Sequence, residues 1–293
     1  AIMSAVRFVS FWRTTEQQRS SGMEIRILGT AAAEGWPAVF CGCDTCNRVR
    51  AAGGRSVRSR ASIQIDTIYK IDLPHDTFSQ AVRNGIDLSQ LAHLFFTHSH
   101  GDHFDIAQIG YFKPPFGHNL KNAPVRIYGN ETVTGAISSR FGDSLPIELI
   151  TVEPFVPVKA GDLTFSPIKA HHNPHELCLN YTIESADAKK VLYASDTGEY
   201  DPETLDYLKQ QRFDLLIIEC NQGTLPYPAT NRMSFEAVLR LRDNLVQSGA
   251  ADASVRTFIT HFSHNIGLLH EELEAIANPE GVEVAYDGIV LNV

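Results

Sequence analysis

His98, His100, Asp102 and His103 fall within six residues, in the run FFTHSHGDHF that begins at Phe95. Side chains two apart on an extended segment leave on the same side. His98, His100 and Asp102 can therefore converge on one pocket, with His103 offset beside them. Imidazole and carboxylate donors suit zinc, manganese, iron or nickel. Four such donors, joined by another histidine and a bridging carboxylate, serve two ions more naturally than one. Two ions about 3.5–4 Å apart can hold a bridging hydroxide and clamp a phosphodiester. The apolar HLFF ahead of His98 buries the base of this loop, which sets it apart from a solvated histidine-rich stretch.

Other candidate ligands follow the same pattern. LTFSPIKA precedes His171 and His172, KVLYAS precedes Asp196, and RTFIT precedes His261. Each β-prone run hands its last residues to a loop, so rigid strands would preorganise the site. Further runs of this kind (EIRIL, ASIQID, TIYKID, VRIYG, NYTIES, FDLLIIE and VEVAYDGIVLNV) are separated by polar, glycine or proline residues. Helical patterns interleave. DPETLDYLKQQ opens with an Asp cap and a first-turn proline, SFEAVLRLRDNLVQSG runs from a Ser cap to a glycine, and GLLHEELEAIAN carries apolar residues at helical spacing. The expectation is one α/β domain over residues 23–293, with two sheets and helices outside them. Residues 1–22 end in a polar Ser-Ser-Gly stretch and lack the apolar core of a signal peptide. They are expected to be an extension, flexible or non-native, with Met23 a candidate start.

The 293 residues are 43% hydrophobic and 20% charged, enough apolar material for a sizeable core. A net charge of -9 argues against a broad nucleic-acid-binding face and leaves room for a local phosphate pocket. No apolar run approaches the roughly 18 residues that a membrane span needs. Five cysteines do not make a disulfide scaffold in a chain this long. Cys178 and Cys220 fall in strand-like runs and read as core. Cys41, Cys43 and Cys46 cluster in CGCDTC, and a tetrahedral zinc site built on them needs a fourth ligand that cysteine usage alone does not name. A reducing, cytoplasmic setting is expected.

THSHGDHF resembles the His-x-His-x-Asp-His motif of the metallo-β-lactamase superfamily, and the resemblance extends over nearly the whole chain from Met23. It implies an αβ/βα sandwich of two mixed β-sheets flanked by helices, with a dinuclear site on one edge. It implies that His98, His100 and His172 bind one metal, that Asp102, His103 and His261 bind a second, and that Asp196 bridges them. Of the adjacent pair His171 and His172, the resemblance favours His172. The ions would be manganese, zinc, nickel or iron. A bridging aspartate is typical of the phosphodiesterase, tRNA-processing and glyoxalase branches rather than of true β-lactamases. LGTAAAEGWPAVFCGCDTC, together with THFSH, is similar to the cyclic phosphodiesterases encoded with bacterial carbon–phosphorus lyase. That similarity implies a structural zinc on Cys41, Cys43, Cys46 and His264. It also implies that Asp72, which ends a strand, orients a ligand histidine.

The sequence departs from that branch at one position. Where its members carry an active-site histidine before the long helix, the matching stretch NRMSF holds Arg232. Arginine can clamp a phosphate through two N–H groups. It cannot protonate a leaving group near neutral pH, so water or His175 would have to do so. The expected activity is a dinuclear, metal-dependent phosphodiesterase acting on a small cyclic phosphate or nucleotide-like diester. The alternative is an oxidative enzyme resembling the pyrroloquinoline quinone biosynthesis branch. Expected partners are the small substrate and, at most, a second copy of the chain, with no membrane and no nucleic acid. Tyr111, Phe112 and Phe116 could wall a base or sugar, or simply pack a proline-rich loop.

Overall fold

The computed structural model describes residues 22–228 and 230–293. All but the last residue of the expected extension at 1–22 therefore lies outside the described residues. The strands are β1 (Glu24–Gly29), β2 (Ser62–Ile65), β3 (Tyr69–Ile71), β4 (His93–Phe95), β5 (Val125–Gly129), β6 (Ile147–Thr151), β7 (Val158–Ala160), β8 (Leu163–Lys169), β9 (Leu179–Glu184), β10 (Lys190–Ala194), β11 (Phe213–Glu219), β12 (Ala251–Thr260), β13 (Val282–Val284) and β14 (Val290–Asn292). The helices are α1 (Asp44–Ala52), α2 (Thr77–Asn84), α3 (Ile106–Ile109), α4 (Glu131–Phe141), α5 (Pro202–Leu208), α6 (Phe235–Gln247) and α7 (His270–Ala277).

Two seven-stranded sheets result, in the orders β14-β1-β2-β3-β4-β5-β6 and β13-β12-β11-β10-β9-β8-β7. Both are mixed. Each is antiparallel at one end and parallel from β3 to β6 or from β10 to β13. This is the expected αβ/βα sandwich. FDLLIIE shows why the sequence demands it. β11 is parallel to both neighbours and buried on both faces. Leu215 and Ile217 enter the core between the sheets, while Leu216 and Ile218 pack with Val238, Leu241 and Leu245 of α6. Between the sheets Phe95 of β4 stacks on Phe165 of β8 with ring centroids 3.9 Å apart. Each buried phenylalanine there contributes roughly 1.5–3 kcal/mol.

The run VEVAYDGIVLNV is not one strand. Gly288, at φ 92°, turns the chain so that β13 joins β12 in one sheet and β14 joins β1 in the other. Asp287 fixes this crossing by accepting from Thr30 Oγ1 (2.7 Å) and from the Ser59 N–H and hydroxyl (2.6 and 2.7 Å). β6, β7, α1, α2, α3 and α4 were not evident from the pattern. α4 shows the reason: ETVTGAISSRF is rich in weak helix formers, and its start is set by Asn130, whose side chain accepts from the Val133 N–H. Among the described residues no helix is long and apolar enough to cross a membrane.

The consequence for chemistry is positional. β8, β10, β11 and β12 run the same way, and so do β3 and β4, so their C-terminal ends open onto one edge of the sandwich. Such an edge is where open α/β sheets present ligand-binding loops.

Candidate metal centre

Seven histidine and aspartate side chains from four loops meet at that edge. His98, His100, Asp102 and His103 follow β4, His172 follows β8, Asp196 follows β10, and His261 follows β12. They form two groups of four donors, each group within 4.8 Å: His98, His100, His172 and Asp196, and Asp102, His103, Asp196 and His261. In the first group His98 Nε2 and His172 Nε2 lie 2.9 and 3.1 Å from His100 Nδ1. In the second, His103 Nε2 lies 3.3 Å from Asp102 Oδ2, and His261 Nε2 sits against Asp196 Oδ1. Asp196 Oδ2 faces both groups, at 3.3 Å from His98 Nε2, 3.2 Å from His103 Nε2 and 3.5 Å from His172 Nε2. His171 points elsewhere, toward the Glu199 carbonyl at 3.3 Å.

Outer contacts fix which ring nitrogens face inward. The Asp72 carboxylate accepts from His103 Nδ1 at 2.6 Å and from the Thr97 hydroxyl at 2.9 Å. With its proton committed to Asp72, the Thr97 oxygen is free to accept from His98 Nδ1 at 3.0 Å. Both imidazoles then keep their Nε2 lone pairs for the centre. Three residues here adopt positive φ: Asp72 (62°), Asp196 (53°) and His261 (56°). Left-handed backbone costs a non-glycine residue about 1–2 kcal/mol, and such strain gathers where side-chain aim matters.

The electrostatics call for a cation. Burial disfavours charge on His98, aided by neighbouring His103, and its pKa falls. Burial, with Arg232 contributing, lowers His172 to about 3. Both are therefore neutral donors at pH 7. Burial also opposes charge on His103, yet Asp102, Asp72 and Asp196 push its pKa well above the usual imidazole range. Burial would raise Asp196, but His261, Arg232 and His103 hold its carboxyl well below the usual range. The carboxylate-rich side thus recruits a proton that a metal ion would replace. The Nε2 atoms of His103 and His261 and both Asp196 oxygens are buried and meet one another, Asp102, His98, His172 and Arg232 only as ion pairs, without a well-aligned hydrogen bond. Buried polar atoms are seldom left so. The donor set fits two divalent ions.

A second ligand set lies behind the centre. Cys41, Cys43, Cys46 and His264 bring three sulfurs and a ring nitrogen within 4.8 Å of one another. His264 Nδ1 is 3.3 Å from Cys46 Sγ and 3.8 Å from Cys43 Sγ. Backbone N–H groups of Cys43, Cys46 and Ala38 donate to the sulfurs of Cys41, Cys43 and Cys46 at 3.4–3.5 Å, and such bonds stabilise thiolates. Cys43 caps the N-terminus of α1; the Cys46 N–H and then His264 lower its thiol to about 6. Burial raises the Cys46 thiol to about 11, a proton that a bound ion would displace; three cysteine sulfurs and an imidazole are a tetrahedral zinc set.

Arg232 is brought into the centre. Its Nη1 lies 2.8 Å from Asp196 Oδ1 and 2.7 Å from His172 Nδ1. His175 is not: it is exposed, and its described hydrogen bond runs from its backbone N–H to Asn173 Oδ1. Phe112 packs into the core beside α3 and α4, while Tyr111 and Phe116 pair on the surface with centroids 5.0 Å apart. Cys178 and Cys220 are buried.

Glu219, the last residue of β11, escaped the sequence reading because it looks like the polar end of a strand. It is fully buried and accepts from the backbone N–H groups of Thr197 (2.8 Å), Asn221 (3.0 Å) and Met233 (3.2 Å). It thus ties the loop of Asp196 to the loop of Arg232. Burial, opposed by Arg232 and His261, raises its pKa to about 7. The native state then keeps a proton that the unfolded chain gives up above the ordinary value of 4.5. This contribution is fully present below pH 4.5 and is lost as pH rises to about 7. Metal-free protein should lose on the order of 2–3 kcal/mol across that window, and urea titrations of Glu219→Gln should show a smaller pH slope than wild type. Equal slopes would overturn the assignment.

A family model described as a beta-lactamase superfamily domain matches residues 63–246, more than half of the chain. The chain belongs to the beta-lactamase superfamily. Solved structures from this superfamily's fold agree. A diphosphatase from the PhnP family is 21% identical, with 92% of this chain and 97% of that one covered at a TM-score of 0.73. Zinc-bound PqqB from Methylobacterium extorquens is 14% identical over 92% and 100%, at 0.71. The short form of human tRNase Z is 16% identical over 92% and 98%, at 0.62. At these identities the agreement concerns the fold. No match was found among curated protein sequences.

Proposed function

We propose that the protein is a dinuclear, metal-dependent hydrolase of small phosphodiesters, cyclic or nucleotide-like. The observation that carries this reading is Asp196: one oxygen faces both donor groups, and the other meets a guanidinium. Ions held by the two groups would supply Lewis acidity toward phosphoryl oxygens and would acidify water. Asp196 orients the nucleophile, and the planar fork of Arg232 binds a non-bridging oxygen. Arg232 cannot give up a proton, so the leaving oxygen takes its proton from water. Two structures of similar fold are named as a diphosphatase and a tRNase Z, and both names fit hydrolysis at phosphorus. The net charge of -9 favours a small substrate over RNA. The oxidative alternative draws on the similarity to PqqB; the phosphate-matching arginine favours the hydrolase. The clustered thiols fit a cytoplasmic enzyme with a structural zinc.

The test is metal content together with hydrolysis of bis(p-nitrophenyl) phosphate, after loading in turn with manganese, zinc, nickel and iron. About three metals per chain and metal-dependent cleavage are expected, one ion for each of the three donor sets. A filled site without cleavage under any metal would sink the proposal and favour oxygen-dependent chemistry with iron. Arg232→Ala should lower kcat/KM about 10- to 100-fold, the range for a hydrogen bond to a charged group, and Arg232→Lys should recover only part of it. Unchanged kinetics in Arg232→Ala would remove the guanidinium from substrate binding.

A further inference from the structure

Glu176 belongs to neither donor group, yet its carboxylate takes three hydrogen bonds at the edge of one of them. Oε1 accepts from the Ser99 backbone N–H and from the Asn130 side-chain amide, both at 2.8 Å. Oε2 accepts from the Ser99 hydroxyl at 2.7 Å. Ser99 stands between His98 and His100, so holding its backbone and hydroxyl together sets the spacing of both imidazoles. Asn130 is anchored in turn: it caps α4, and its amide also donates to the Leu177 carbonyl at 2.7 Å. The segment that supplies His172 therefore grips the segment that supplies His98 and His100, against the rigid start of a helix. Glu176 is partly buried and has no salt-bridge cation among the described residues. Bonds to a carboxylate are about twice as strong as neutral ones, and here that strength goes into geometry.

The structure assigns Glu176 as a positioning residue for one metal position only, that of His98, His100 and His172. Asp72 reaches both groups, through His103 and through Thr97 to His98, and Glu219 holds the loop of Asp196, which both groups share; the contacts of Glu176 lead to the first group. The inference rests on metal binding by the two groups and not on the reaction catalysed there. Outer partners of ligands typically change metal affinity 10- to 100-fold.

The experiment is a manganese(II) titration against a competing chelator, on full-length protein first given a single equivalent of zinc, which the three cysteine sulfurs take in preference to the His/Asp groups. Wild type should take up two equivalents. Glu176→Ala should weaken one of them 10- to 100-fold and leave the other unchanged, with circular dichroism of the metal-free protein like that of wild type. Glu176→Gln should restore affinity, since its carbonyl can accept from Ser99 N–H and Asn130 while its amide donates to the Ser99 hydroxyl. Ser99→Ala, which removes one arm without disturbing the carboxylate, should give a loss of a few fold and decides the matter if Glu176→Ala does not fold. In an Asp102→Ala background, Glu176→Ala should still weaken the remaining equivalent; in a His100→Ala background it should add nothing. Equal weakening of both equivalents, no weakening of either, or failure of glutamine to rescue overturns the assignment. So does a wild type that binds fewer than two.

Discussion

Replacing Asp196 by asparagine should lower kcat/KM for bis(p-nitrophenyl) phosphate by about a thousandfold, which is about 4 kcal/mol of transition-state stabilisation. Asparagine suits the position sterically, because it is among the few residues that enter left-handed backbone readily, and Asp196 sits at φ 53°. What it lacks is the charge. One oxygen of Asp196 lies within 3.5 Å of imidazoles from both donor groups, so a neutral amide weakens two ion positions at once. Metal analysis should accordingly show both ions lost at moderate chelator concentration. The metal-free variant should also melt below wild type. His261, Arg232 and His103 hold the carboxyl well below its usual range; a lowered carboxyl pKa is stability present above the unfolded value, and asparagine forfeits it. Circular dichroism at 25 °C separates a folded, inactive variant from an unfolded one. Retention of both ions with a near-wild-type rate would refute the shared-ligand reading.

On the proposed reading that the cysteine site holds zinc, removing the ion should cost folding stability. An ion present at a thousand times its dissociation constant stabilises the folded state by about 4 kcal/mol, and Cys46→Ser should forfeit that. For a chain of this length the loss corresponds to a fall of roughly 8 °C in Tm, read by thermal melts with and without a chelator. Activity should fall with it, by about tenfold or more, because small displacements of catalytic groups are costly. The path is short: His264 is three residues from His261, and Glu34 accepts from the Ser263 hydroxyl between them at 2.7 Å and from the His264 N–H at 3.3 Å. Zinc should raise the Tm of wild type by more than that of Cys46→Ser, which keeps only the two His/Asp donor groups. A wild type that melts at the same temperature with and without chelator would show the cysteines to be a reduced trio and no more.

The ligand loops were legible because apolar β-prone runs announce strands, and a run that ends in histidine or aspartate announces a strand delivering a ligand. His98, Asp196 and His261 all read this way. The choice of His172 over His171, and the pairing of His264 with the cysteines, came from family resemblance; spacing alone left both open. Glu176, Thr97 and Glu219 stayed hidden for a common physical reason. Each acts through contacts with residues far away in sequence, and nothing local distinguishes a carboxylate that orients a loop from one that faces water. The same holds for the positive φ angles at Asp72, Asp196 and His261, since only tertiary packing forces those residues into left-handed backbone. VEVAYDGIVLNV failed differently: its β-propensity is genuine over both halves, and the two halves belong to different sheets.

That division of the chain between two sheets also bears on assembly. His98, His100, Asp102 and His103 are carried by the sheet of β4, whereas His172, Asp196 and His261 are carried by the sheet of β8, β10 and β12. Each donor group therefore takes two ligands from one layer and two from the other. A half-formed molecule can offer an ion only a pair of donors, and a sandwich docked out of alignment offers mismatched pairs. Full coordination becomes available only when the layers have met correctly, so ions that serve a reaction in the finished protein would also act as rivets, holding the correctly assembled sandwich against its misassembled forms.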